Sequence, residues 1–194
     1  MPNAPFKRHR QSTGNGCALV VCDSRLEEHF QIHETIYAAL GHFGLPYRVH
    51  DLASGDLDAR TLEACAVVVI GQDNVGLGLT RTSQSVLLQA VSGGLGLVNF
   101  DYNLAQYDSS FAEAMGLSGR HASRSIDVGS ADSIAVPAAD HWLTWTQDEG
   151  QEHRLNMPVP AALAKANRRK ARILAETDSG SPAVVSGRLG KGRI

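Results

Sequence analysis

Val91-Ser92-Gly93-Gly94-Leu95-Gly96-Leu97-Val98-Asn99-Phe100-Asp101 is the stretch on which the fold turns. The glycine pair ends a helix, because glycine there costs the least where the backbone must leave helical geometry. Residues 95–100 then form a short apolar run, the pattern of a strand buried on both faces of a parallel sheet. Asp101 stands where that run stops. The same grammar recurs upstream. Apolar runs at 18–22 and 66–70, and the alternating Tyr47-Arg48-Val49-His50, read as three earlier strands.

Helices are expected between them. Over 25–43, apolar residues fall at Phe30, Ile32, Ile36, Tyr37, Leu40 and Phe43, with Asp23-Ser24 as N-cap and Gly44 and Pro46 as the stop. Shorter helices are expected over 57–64 and 109–115, and a longer one over 80–91 capped by Thr80 or Thr82. Four alternations of strand and helix predict an α/β fold: a flavodoxin-like, doubly wound, mostly parallel sheet with helices on both faces. After Gly119 the pattern changes. Short strands at 125–128, 133–136, 154–159, 172–177 and 183–187 predict an antiparallel excursion in the C-terminal half that returns to the same sheet. Residues 161–169 read as a short helix or a loop.

The chain has 194 residues, 43% hydrophobic and 20% charged, which suits one domain over 17–194. Residues 1–16 read as a disordered lead-in, with Lys7-Arg8-His9-Arg10 as a solvated cluster. The C-terminus reads as truncated, with a homo-oligomer or further domains expected after Ile194. Net charge is −2 and the basic residues are scattered, so no nucleic-acid partner is expected. No run approaches the ~20 apolar residues of a membrane helix, so no membrane partner is expected. Three cysteines (Cys17, Cys22, Cys65) are too few and too odd for a disulfide framework. They point to a reducing, cytoplasmic setting.

Ligands of open α/β sheets sit beyond the carboxyl ends of the strands. Those ends carry Asp23, then Asp73-Asn74, then Asp101-Tyr102-Asn103. Grouped carboxylates and amides suit a hydroxyl-rich ligand or a hard cation. The plainer reading is that each aspartate caps the helix after its strand.

Residues 91–101, with Val67-Val68-Val69-Ile70-Gly71 before them, resemble the segment of the class I glutamine amidotransferase-like superfamily that leads to its nucleophile elbow. The tail from Ile173 and the segment His141-Trp142-Leu143-Thr144 look like the ThuA-like (trehalose utilisation), carbohydrate-enzyme-associated branch. The resemblance covers about 17–194 and rests on the order of its motifs. It implies a carbohydrate or small polar ligand, for which Asp23, Asp73, Asn74, Tyr102, Asn103 and Trp142 are the candidate contacts. Active members of that superfamily carry a cysteine at the elbow and a downstream histidine. Here the elbow position is Asp101, and all three cysteines precede its strand. Without a thiolate no thioester forms from glutamine. The leading expectation is a catalytically silent binding domain. Two alternatives stay open: a hydrolase of a sugar-like substrate using Asp101 and His141, and a structural oligomerisation module.

No cofactor and no metal site is expected. Gly71 to Gly78 matches no phosphate-binding fingerprint, and His29 with His33 lacks a third ligand. The charge run Arg168-Arg169-Lys170 reads as a solvated turn.

Overall fold

The computed structural model describes residues 16–117, 128–137, 139–162 and 166–194. The expected lead-in, Gly16 apart, lies outside them, as does most of the strand expected at 125–128.

The first half alternates as its apolar pattern requires. Strand β1 (Cys17–Cys22) leads to α1 (His29–Ile32), which continues through a π-helical turn (His33–Tyr37) into α2 (Ala38–His42). Then come β2 (Tyr47–Asp51), α3 (Ala59–Leu62), β3 (Cys65–Ile70), α4 (Arg81–Gly93), β4 (Gly96–Asn99) and α5 (Ser109–Ala114). The four strands are all parallel, in the order β2-β1-β3-β4. Val20 lies beside Val49 on one side and Val69 on the other.

Alternation along β1 feeds two cores. Leu19 and Val21 join Val68, Ile70 and Leu97 under Leu87 and Val91 of α4 and Phe111 of α5. Val20 and Cys22 face the other way, onto Ile32. Each fully buried aliphatic side chain contributes about 1.5–3 kcal/mol relative to exposure, so this sandwich dominates the stability of the half. Thr80 caps α4 by accepting from the Ser83 amide at 3.2 Å.

The helix expected over 25–43 starts four residues late. Asp23 does not cap it. Its carboxylate is taken instead by the amide and guanidinium of Arg25, so 24–28 form turns. The helix expected over 57–64 shrinks to α3, whose cap Asp58 accepts from Thr61 at 2.7 Å.

The second half is a separate antiparallel sheet. Its strands are β5 (Val128–Ala135), β6 (Glu152–Ala162), β7 (Ala171–Thr177), β8 (Pro182–Leu189) and β9 (Gly192–Arg193), in the order β6-β5-β7-β8-β9. The expected return to the parallel sheet does not occur: these strands pair with one another and not with β4. The strand expected at 133–136 is the end of β5, and β6 extends through the start of the region expected as helix or loop. Antiparallel strands with one wet face carry no continuous apolar run, so their local pattern does not record which sheet they join.

The halves meet at the Leu117–Ala166 bridge, where the Asn167 amide donates to the Gly116 carbonyl at 2.7 Å, and at a hairpin. Gly190 (φ +58) and Lys191 turn β8 into β9, and the Lys191 amide donates to the Ser92 carbonyl at 2.9 Å. Gly192 presses on the carbonyls of Val91 and Leu95, where a Cβ would collide with both. Leu189 and Ile194 pack on the main core.

Candidate functional site

The sheet order reverses direction between β1 and β3, which places the switch point at their carboxyl ends. Two polar clusters occupy that end of the sheet.

In the first, Gln72 is wholly buried. It accepts from the Asp23 amide at 3.0 Å and donates to the Asp23 carbonyl at 2.9 Å. The Asp23 carboxylate accepts from Arg25 at 2.6–3.1 Å. That pairing holds its carboxyl below the usual carboxylate range.

The second cluster is built on Asp101. Its side chain is 2% exposed. One oxygen accepts from the amides of Asn74 (3.1 Å) and Asn103 (2.9 Å). The other accepts from the Gly76 amide (3.2 Å) and the Tyr107 hydroxyl (2.8 Å). Four donors on one carboxylate tie the loop after β3 to the loop after β4. Gly76 is required for this approach, since a Cβ there would come within 2.8 Å of both Gln106 and Tyr107. Burial and the Asp101 charge push the Tyr107 hydroxyl well above its usual pKa.

Asn74 is the second hub. Its backbone is left-handed at φ 67, a conformation asparagine tolerates better than most residues. Its side-chain amide donates to Glu28 at 2.6 Å, and its oxygen accepts from Asn103 at 2.9 Å and Gln106 at 2.6 Å. The Asp73 carboxyl beside it is pushed up from its usual pKa, by burial first and the Asp101 charge second. Burial and the Asp73 charge likewise raise Tyr102.

A nucleophile elbow carries its reactive residue on a strained turn. Among the described non-glycine residues, left-handed backbone occurs at Ala64 and Asn74, not at Asp101. The three cysteines lie on β1 and β3. Cys17 and Cys65 are register partners at the amino ends of those strands, with the Arg48 guanidinium donating to Cys65 Sγ at 2.9 Å. Burial pushes the Cys22 thiol up to about 11.

Beyond β4 a cleft of about 1530 Å³ opens between the parallel sheet and β7–β8–β9. Its walls include Phe100, Asp101, Tyr102, His141 and Trp142. Phe100 and Trp142 are 60% and 67% exposed. His141 Nδ1 accepts from the Leu143 amide at 3.2 Å, and its ring lies 5.8 Å from that of Trp142. No hydrogen bond among the described residues joins His141 to Asp101.

The structure therefore divides the candidates. Asp101 and Tyr102 lie where the polar cluster meets the cleft. His141 and Trp142 line the cleft alone. Asp73, Asn74 and Asn103 belong to the polar cluster, and Asp23 is held apart by Arg25 and Gln72. Sequence reasoning missed Gln72, Glu28, Gln106 and Tyr107. Only Gln72, directly after Gly71 at a strand end, carried a readable signal. Among the described residues no three His, Cys, Asp or Glu side chains form a metal-ready group.

No family model and no curated protein matches the sequence. Solved structures are similar in fold. A ThuA-like protein from Bacteroides uniformis ATCC 8492 superposes with a TM-score of 0.61 at 12% identity, over 98% of this chain and 79% of that one. The exo-β-1,4-mannosidase Op5Man5 from Opitutaceae bacterium strain TAV5 gives a TM-score of 0.50 at 13% identity, over 90% of this chain. The chain spans 30% of that mannosidase's length. Identities this low show the fold alone, and the fold is one that a ThuA-like protein also adopts.

Proposed function

We propose that this chain is a catalytically silent, flavodoxin-like domain of the glutamine amidotransferase-like superfamily, in its ThuA-like branch. In this reading it binds a carbohydrate or small polar ligand in the cleft beside β4. One observation carries the reading. The residue at the elbow position, Asp101, is buried with both carboxylate oxygens occupied by four donors. A group so engaged is a brace between two loops rather than a nucleophile awaiting substrate. A thioester route has no thiolate to use: Cys22 is a neutral, buried thiol, and Cys17 and Cys65 stand at the far end of the sheet. The exposed Phe100 and Trp142 rings on the cleft walls offer apolar faces of the kind that sugars stack on.

The hydrolase reading keeps one point in its favour, that Asp101 and His141 line the same cleft. The oligomerisation reading gains exposed apolar side chains along and beside the outer strand β2: Phe43, Leu45, Tyr47 and Val49.

One set of measurements separates these. Incubation with glutamine should release no glutamate above blank, and robust turnover would overturn the proposal. Thermal-shift screening with neutral and acidic oligosaccharides should find a ligand that raises Tm. Turnover of any sugar substrate, lost in both Asp101→Asn and His141→Ala while the fold survives, would favour the hydrolase. A dimer in light scattering, with no ligand response, would favour the structural module.

A further inference from the structure

The antiparallel sheet brings basic side chains to one wall of the cleft. Arg168, Arg169, Lys170, Arg172, Arg188 and Arg193 all line it. The single acid among the described lining residues is Asp101, whose carboxylate is already occupied. This is a strong local imbalance in a chain of net charge −2. Part of it is compensated at the rim. Arg168 pairs with Glu176 at 3.1 Å, Lys170 approaches Glu113 at 3.7 Å, and Arg172 pairs with Asp140. The guanidiniums of Arg169, Arg188 and Arg193 have no acidic partner among the described residues.

The register makes the imbalance costly. Arg188 is the direct partner of Arg193 across β8 and β9. The next pair, Gly187 and Ile194, exchanges both backbone hydrogen bonds, at 2.7 and 3.0 Å. Arg188 and Arg193 are therefore a non-hydrogen-bonded pair, the class in which side chains come closest. Like charges opposed in this way destabilise a sheet. Arg172 is the partner of Ser186, so it lies diagonal to Arg188 on the same face. A hairpin with two free arginines in register is expected where an anion relieves the repulsion.

We propose that the Arg188–Arg193 pair, with Arg169 nearby on the cleft wall, binds the carboxylate of an acidic sugar, and that the cleft takes a uronate-bearing oligosaccharide. Two planar guanidinium forks match a carboxylate geometrically, which a lysine pair would not. The exposed rings of Phe100 and Trp142 on the same cleft supply stacking surface for the sugar faces. This inference rests on the carbohydrate reading above and narrows it to an anionic substrate class.

The test is calorimetric titration with an oligogalacturonide, a neutral oligosaccharide of equal length, and inorganic phosphate. The oligogalacturonide should bind, and each tenfold rise in salt should weaken it, because the arginines are exposed and screened. Arg188→Gln with Arg193→Gln should weaken it by roughly tenfold or more, the scale of a lost charged hydrogen bond. Each single variant should leave the fold intact and raise Tm slightly as the repulsion is relieved. Equal binding of the neutral oligosaccharide, unchanged in the double variant, would overturn this inference and leave the carbohydrate reading standing. Binding of phosphate alone would overturn the sugar assignment of the pair. Failure of all three probes would overturn both.

Discussion

Strands β1 and β8 are both interior, each paired on two sides, yet they are built for different ends. In β1 every residue from Leu19 to Cys22 is at most 1% exposed. In β8 no residue is buried, and Val184 is 42% exposed. Helices cover β1 on both faces, whereas β8 lines an open cleft. Local stability follows buried apolar contact, so the parallel half is the rigid part and the antiparallel half is the receptive one.

The sharpest way to break that contrast is to cut both strands equally. Leu19→Ala should cost about 3–5 kcal/mol in denaturant unfolding, and Val184→Ala less than about 1 kcal/mol. Similar losses would mean that the two sheets share their stability evenly. Asp101→Ala comes next. It strands a buried hydroxyl and three amides, and should cost on the order of 3 kcal/mol. Asp101→Asn keeps the shape and should lose less. If Asp101→Ala leaves the unfolding midpoint untouched, the brace assigned to Asp101 is wrong.

Acid–base behaviour tests the polar clusters in opposite directions. The Asp73 carboxyl is raised on folding, so its contribution to stability is present at low pH and is lost as pH climbs above about 4. Asp73→Asn should therefore raise Tm by roughly a few degrees at pH 7, and the gain should vanish near pH 3.5. The Asp23 carboxyl is lowered on folding, so its contribution is present above about 4 and is lost on acidification. Asp23→Asn should thus flatten the acid limb of the stability curve. The smallest effect is Thr80→Ala, which removes the cap of α4 and should cost about 1 kcal/mol, read from the same denaturant curves.

Legibility in the sequence followed the same divide. The runs at 18–22 and 66–70 announced β1 and β3 nearly to the residue, because strands buried on both faces are apolar throughout. Gly93-Gly94 and Thr80 marked the ends of α4 for local reasons of backbone freedom and capping. The second sheet was half-read. Its strands are short in apolar content, and which sheet they join is decided by long-range pairing that no local pattern records. Position 101 was legible as a strand end, but not its four donors, three of which are backbone amides and invisible in composition. The scatter of arginines along 168–193 concealed a cluster, since only the β7–β8–β9 register assembles it.

The seating of Gly192 against the end of α4 fixes more than the hairpin. With the Lys191 amide latched to Ser92 and no space under Gly192, one wall of the cleft is fastened to the longest helix among the described residues. The hairpin end of that wall therefore keeps a fixed place relative to α4. The arginines that this hairpin carries are thus held at a set distance from the helix behind them, whatever occupies the cleft.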